Sequence, residues 1–373
     1  MKKNILFITG TRADFGKLKS LINITSKSDK FKTHIFATGM HLQTKYGYTI
    51  DEIYKCGYKN IYPFINQTSE NSMDCTLAKT IEGLSNYVKE FSTDLIIIHG
   101  DRVEALAGAI VGILNNILVA HIEGGEVSGT VDELIRHSVS KLSHIHFVSN
   151  NVAKKRLIQM GEVEENIFII GSPDVDMMLS KNLPDIKEVK KRYGINYKNY
   201  SVLMFHPVTT EAGKMDDYSN NLVKAVLESK LNYVVIYPNN DLGSSMILNS
   251  YKKFQNHERI KIFPSVRFEY FLVLLKHAEM MIGNSSAGIR EAPYYGVPVV
   301  NIGTRQQNRA LHKDIINSDY SADNILSSIK AAVKSKFKKE KLFGKGNSDK
   351  LFFKIISGKK FWNINIQKQF RDL

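Results

Sequence analysis

The stretch "HIEGGEVSGTVDELIRH", residues 121 to 137, gathers Glu123, Glu126, Asp132 and Glu133 in a turn-rich segment directly after the apolar run "NNILVA". Carboxylates at the end of a buried strand, in a chain of formal net charge +14, have two readings. In the first they cap the next helix, since Thr130, Asp132 and Glu133 all suit a helix N-terminus. In the second they form an acid/base site, where positioned titratable groups take and return protons. Asp101 in "HGDRVEAL" poses the same choice between a cap and a titrating group.

A second polar stretch, "GNSSAGIREA", runs from a strand end into a helix. Ser285 and Ser286 set hydroxyls and free backbone N–H groups where the positive end of a helix dipole holds a diphosphate, and Glu291 further along would accept from a ribose diol. The plainer reading of the serine pair is an N-cap. Ala287 occupies the final glycine position of a Gly-x-Ser-x-Gly elbow, which argues against a serine hydrolase. No Gly-x-Gly-x-x-Gly follows a strand and no Tyr-x-x-x-Lys occurs, which disfavours a nicotinamide-dependent epimerase or dehydrogenase. His121 reads as a hydrogen-bonded strand histidine. His144 and His146 alternate on a strand without a nearby Cys or matching carboxylate, and Cys56 and Cys75 are the two cysteines, so no metal site and no disulfide framework is expected.

These residues need elements to hold them. Short apolar runs alternate with amphipathic helical stretches: "NILFIT", "KTHIFAT", "NIYPFI", "DLIIIHG", "ILVAHIE", "HIHFVS" and "NIFIIG" read as seven strands, apolar on both faces as in a helix-covered parallel sheet. The pattern pauses at "GSPDVDMM" and resumes with "SVLMFHP", "YVVIYPN", "RIKIFPS", "EMMIGNSS" and "VPVVNIG". A chain of 373 residues exceeds what one core serves, so two α/β domains are expected, at 1–172 and 173–354, with a final helix over about 355–373 a candidate to pack back on the first. Two doubly wound, Rossmann-like domains present the carboxyl ends of their strands to a cleft, where such folds bind ligands. Gly10, Arg12, Asp14, His99, Asp101, Arg102, His121 and Glu123 follow strands of the first half, and His206, Asn239, Val266, Asn284, Ser285, Ser286 and Arg305 those of the second.

No apolar stretch approaches the ~18 residues of a membrane span, and the N-terminal apolar run leads straight into a strand–turn–helix pattern, so the expectation is a cytoplasmic protein without membrane partners. Much of the positive charge lies in the C-terminal quarter, as in "KSKFKKEKLFGKGNSDK", without a nucleic-acid reader motif. Solvated helix faces and a surface loop account for it; a polyanion-binding patch is the alternative.

In order along the chain, "GTRADFGKL", "HGDRVEAL", "HIEGGEVSGTVDELIRH", "FHPVTTE", "YPNND" and "GNSSAGIREAPYYGVPVVNIGTRQQNR" closely resemble the hydrolysing UDP-N-acetylglucosamine 2-epimerases, nearest to the branch that makes N-acetylmannosamine for sialic acid synthesis. The resemblance implies a glycosyltransferase-B type fold, two Rossmann-like domains facing across a cleft with the sugar nucleotide between them. It carries catalytic roles onto Asp101, Glu123, His206 and the acidic pair Asp132 and Glu133, with Asp132 favoured. It carries nucleotide binding onto Ser285, Ser286, Glu291 and Arg305, ligand contacts onto Arg12 and Asn239, and a place near the uracil onto Val266. Gly10, Asp14, Arg102 and Arg136 complete the candidate binding set. The implied reaction eliminates the diphosphate to a 2-acetamidoglucal and then adds water, with no metal or redox cofactor. The implied partners are a UDP-sugar and further copies of the chain, as a homodimer or a dimer-of-dimers tetramer. A UDP- or GDP-linked 2,4-diacetamido sugar on the way to legionaminic acid is the alternative substrate. A glycosyltransferase of the same fold would need an acceptor pocket, and the first-half carboxylates argue against it.

Overall fold

The apolar runs form two parallel sheets in the computed structural model of the protein, which describes residues 2–68, 72–127, 131–306 and 313–371. The chain divides into two compact units. The first comprises Met1–Glu126, Asp132–Ser180 and Phe343–Leu373, and the second Val127–Val131 and Lys181–Leu342.

The first unit carries strands β1 (Lys3–Thr9), β2 (Phe31–Ala37), β3 (Ile61–Pro63), β4 (Leu95–His99), β5 (Leu118–Ile122), β6 (Ile145–Val148) and β7 (Ile167–Ile169), in the order β3-β2-β1-β4-β5-β6-β7. Every neighbouring pair is parallel. Ile96, Ile97 and Ile98 are fully buried in succession, as a central strand covered on both faces requires. The chain winds outward from β1 through β2 to β3 and restarts on the other side of β1 with β4, so the topological switch point lies between β1 and β4. Helix Arg12–Ser26 begins there, with the Thr11 hydroxyl accepting from the Asp14 N–H at 3.1 Å.

The second unit carries β8 (Ser201–Met204), β9 (Tyr233–Ile236), β10 (Ile260–Phe263), β11 (Met281–Gly283), β12 (Val299–Ile302) and β13 (Ile316–Ser318), in the order β10-β9-β8-β11-β12-β13. Its pairs are parallel as well, and its switch point falls between β8 and β11. The strands are pressed together there: at Gly283, with φ +128°, a Cβ would meet the Met204 carbonyl oxygen at 2.0 Å. Strand β13, Ile-Asn-Ser, is not among the runs expected from sequence, because three half-exposed or exposed residues at a sheet edge leave no apolar signature.

Two boundaries differ from expectation. The chain leaves the first unit after Ser180 rather than at 172, because helix Pro173–Met178 packs against helix Arg12–Ser26, with Lys17 Nζ 3.5 Å from Asp174. The returning segment starts at Phe343, and its helix is Ser348–Ile356, followed by a short 3-10 turn at Lys359–Asn363. Phe352, Ile356 and Phe361 of this segment lie in the first unit's core. The expected helix over 355–373 does not form: Gly358 interrupts it, and residues 364–371 are non-helical.

Candidate active site

Each sheet collects polar side chains at its switch point, where strand ends part and the backbone leaves room for ligands. In the first unit β1 delivers Gly10 and Asp14, β4 delivers His99 and Asp101, and β5 delivers Glu123. Asp14 accepts from the Gly10 N–H at 3.2 Å, and its other oxygen lies 2.8 Å from His99 Nδ1. His99 Nε2 is 3.1 Å from a carboxylate oxygen of Glu123, whose second oxygen accepts from the hydroxyl of the buried Ser172. Burial alone would lower the His99 pKa, but Glu123 and Asp14, one on each nitrogen, outweigh it and push the ring up to about 9.

Glu123 is 2 % exposed and stands at φ +64°, in the left-handed region that a non-glycine residue avoids unless its surroundings hold it. Its N–H donates to the Phe147 carbonyl at 2.9 Å, and its own carbonyl accepts from Arg136 Nη1 at 2.7 Å. Arg136, buried on helix Val131–Leu142, extends its other guanidinium nitrogen to the Asp101 carboxylate. One arginine thus fixes both Asp101 and the backbone of Glu123. The N-cap of helix Val103–Leu114 falls on Arg102, without a side-chain cap bond, and one oxygen of the preceding Asp101 is held by Arg136.

His121 donates from Nε2 to the Gly100 carbonyl at 2.8 Å and accepts at Nδ1 from the Ser140 hydroxyl at 3.0 Å. Burial holds it neutral, its pKa well below the usual imidazole value. It fixes the turn before Asp101 from beneath. His144 bonds the Val119 N–H and the Ile366 carbonyl, and His146 Nε2 lies 2.9 Å from Glu162, a buried carboxylate partner not expected from sequence.

Arg12 pairs with Glu52 at 2.7 Å, and Arg102 Nε lies 3.5 Å from Glu104. Asp132 and Glu133 occupy the first turn of helix Val131–Leu142, half-buried, with Glu133 3.3 Å from His137 one turn on. Thr130, the cap suggested by sequence, lies outside the described residues.

In the second unit the His206 N–H donates to Asn284 Oδ1 at 2.6 Å, and Asn284 Nδ2 donates to the His206 carbonyl at 2.8 Å. This reciprocal clamp bridges the ends of β8 and β11. His206 Nδ1 accepts from the Asn239 N–H at 3.0 Å, which leaves the hydrogen of the neutral ring on Nε2. The Asn284 carbonyl accepts from Arg305 Nη1 at 3.3 Å and Gln306 Nε2 at 2.8 Å. Ser286 holds the N-cap position of helix Ala287–Tyr295 without a side-chain cap bond, and Ser285 Oγ accepts from the Ala287 N–H at 3.3 Å. Glu291 is buried on the same helix, and Val266 is buried between β10 and helix Phe268–Lys276.

His99, Ser172, Asn284 and Gln306 join these clusters without having been assigned a role from sequence. His99 and Asn284 had a signal, since both sit at strand ends beside assigned residues. Ser172 lies at residue 172 of "GSPD", where composition shows only a pause in the pattern, and its bond to Glu123 spans 49 positions.

The profile of the UDP-N-acetylglucosamine 2-epimerase family matches residues 23–357. A UDP-N-acetylglucosamine 2-epimerase of Neisseria meningitidis serogroup B is 51% identical over 375 residues, covering 100% of this chain and 99% of the relative. A hydrolyzing UDP-N,N'-diacetylbacillosamine 2-epimerase of Legionella pneumophila is 35% identical, covering 93% of this chain and 94% of the relative. The crystal structure of the Methanocaldococcus jannaschii UDP-GlcNAc 2-epimerase in complex with UDP-GlcNAc and UDP superposes with a TM-score of 0.82 at 22% identity, covering 95% of this chain and 99% of that one. The fold is thus the two-domain glycosyltransferase-B type. A family profile across most of the chain and half-identity to a full-length relative leave one assignment: the chain belongs to the UDP-N-acetylglucosamine 2-epimerase family.

Proposed function

We propose that this chain is a hydrolysing UDP-N-acetylglucosamine 2-epimerase that releases UDP and N-acetylmannosamine for sialic acid biosynthesis. The observation that carries this reading is the 51% identity along the full length of the Neisseria meningitidis epimerase. The 35% identity to the Legionella pneumophila diacetylbacillosamine enzyme favours the N-acetylglucosamine nucleotide over a 2,4-diacetamido sugar.

Inverting C2 of an N-acetylhexosamine removes a weakly acidic C–H proton while the anomeric diphosphate departs, so the reaction needs a base and a stabilised leaving group. Asp101 and Glu123 take the acid/base roles with Asp132, Glu133 being the alternative member of that pair. Gly10, Arg12, Arg102 and Arg136 serve substrate binding in the first unit. In the second, Ser285, Ser286, Arg305 and Asn239 hold the diphosphate with His206, Glu291 takes the ribose, and Val266 lies near the uracil. The helix Ala287–Tyr295 supplies the positive end of its dipole to this anion. We further propose a cytoplasmic homodimer or dimer of dimers; among the described residues no helix is long and apolar enough to cross a membrane.

Incubating the protein with UDP-N-acetylglucosamine alone tests the reading. Stoichiometric UDP and free N-acetylmannosamine are expected. Transfer of the sugar to an added acceptor, without free N-acetylmannosamine, would replace the epimerase by a glycosyltransferase.

A further inference from the structure

One buried side chain ties together three segments of the first unit's cluster. His99 ends β4, with a tenth of its side chain exposed, and carries a carboxylate on each ring nitrogen: Asp14 at 2.8 Å and Glu123 at 3.1 Å. A neutral imidazole has a single N–H and can donate to only one of two such acceptors. With both bonds made, the ring is an imidazolium between two carboxylates, or a carboxylate carries the proton. The burial-opposed rise of the ring's pKa supports the imidazolium. The other charged and titratable groups around it fit: Arg136 grips the Glu123 carbonyl and Asp101, and His121, neutral, faces the Gly100 carbonyl.

The Glu123 carboxylate is therefore held at both oxygens, by His99 and by Ser172. Asp14, in turn, spends one oxygen on His99 and the other on the Gly10 N–H. With one oxygen on the His99 ring and the other on a backbone N–H of its own turn, Asp14 is placed to brace the imidazole.

We propose that His99 is a positioning residue for the reaction: braced by Asp14, it aims the Glu123 carboxylate and keeps it an anion, so that Glu123 enters the cycle as a proton acceptor. Asp14 then acts through His99 rather than by touching the nucleotide. The inference rests on the epimerase reading for its catalytic consequence, and on geometry alone for the Asp14–His99–Glu123 linkage.

The test has two arms, both on the full-length protein. In the first, nitrogen-15 spectra of the imidazole rings of the unliganded protein should show both His99 nitrogens protonated at neutral pH, and Asp14→Asn should move that ring's titration down by about one unit or more. In the second, rates with UDP-N-acetylglucosamine should show kcat falling ~10²-fold in His99→Gln, because a misaimed carboxylate costs that much. KM and calorimetric UDP affinity should stay within about twofold. Asp14→Asn should lose kcat in the same sense, with Asp14→Glu recovering part of it. A His99 ring with a single protonated nitrogen, or an Asp14→Asn protein with wild-type kcat, overturns the proposal. If His99→Gln does not fold, Asp14→Asn carries the test, since Asp14 is only half-buried. A wild-type protein inert toward UDP-N-acetylglucosamine counts against the epimerase reading, while the spectra still decide the linkage.

Discussion

Glu123 concentrates the constraints of the first unit: a left-handed backbone, a buried carboxylate, and bonds to β6, helix Val131–Leu142, His99 and Ser172. A strained φ of this kind costs about 1–3 kcal/mol, and the surrounding bonds offset it. Glu123→Gln keeps shape and removes the titrating group, so turnover should fall ~10²–10⁴-fold, and the same holds for Asp132→Asn. UDP affinity by calorimetry should be nearly intact in both. Were either residue only a helix cap, its amide variant would lose about 1 kcal/mol of stability and keep full turnover. Glu291→Gln should show the reverse pattern, weaker UDP binding by about 1.5–3 kcal/mol for a lost charge-assisted hydrogen bond. His99 also links the cluster to pH. Its folded pKa of about 9 lies above the unfolded value near 6.5, so the folded state binds the extra proton between them. The stability it contributes is full below about pH 6.5 and is lost as pH rises through about 9, with a slope of at most ~1.4 kcal/mol per pH unit. Urea midpoints from pH 7 to pH 10 should fall in the wild type and fall less in His99→Gln.

At the scale of elements, the returning segment closes the first unit. Phe352 is fully buried, 4.9 Å from the Phe147 ring, and the N-terminus of its helix donates from Ser348 and Asp349 to Asp176 at 2.8 and 2.9 Å. Phe352→Ala should cost about 3–5 kcal/mol in urea unfolding, a large share of a domain's margin. Burial raises the Asp176 pKa to about 6 despite those two N–H donors. Its folded pKa exceeds the unfolded value near 3.9, so this contribution is full below about pH 4 and lost as pH rises through about 6. Further along, Lys368 donates to the Lys141 and Ser143 carbonyls, each at 2.7 Å, and to Glu162 at 2.5 Å. The tail thus satisfies carbonyls at the C-terminal end of the helix that carries Arg136.

For the whole molecule, the two units differ in how the chain builds them. The second is nearly continuous, residues 181–342 with a core of its own around Phe205, Tyr233 and Phe254, whereas the first is assembled from three stretches. A fragment of residues 181–342 should therefore fold cooperatively, by far-ultraviolet circular dichroism, and retain UDP binding. A chain ending at 342 should lose the first unit's cooperative transition, because Phe352, Ile356 and Phe361 leave its core. The reaction itself has a signature: in heavy water, N-acetylmannosamine should carry deuterium at C2. Product that kept the original hydrogen there would exclude a glucal intermediate.

Local periodicity, strand-end position and motif order belong to short stretches, and these the sequence displays by itself. The central parallel strands, such as "DLIIIHG", "ILVAHIE" and "YVVIYPN", are legible because a strand buried on both faces must be apolar throughout. Polar residues directly after such runs fall at the carboxyl edge of a parallel sheet, which is why Asp101, Glu123, His206 and Ser285 could be singled out. The sequence leaves open whether Asp101 caps a helix or faces Arg136, because the two residues are 35 positions apart and their bond exists only after β4 and helix Val131–Leu142 have packed. The bonds from Glu123 to Ser172 and from His99 to Asp14 span 49 and 85 positions. The docking of Phe343–Leu373 on the first unit depends on a still longer return of the chain. Tertiary structure alone decided those pairings, since what sets a side chain's partner and protonation is the burial and charge around it, and distant segments supply both.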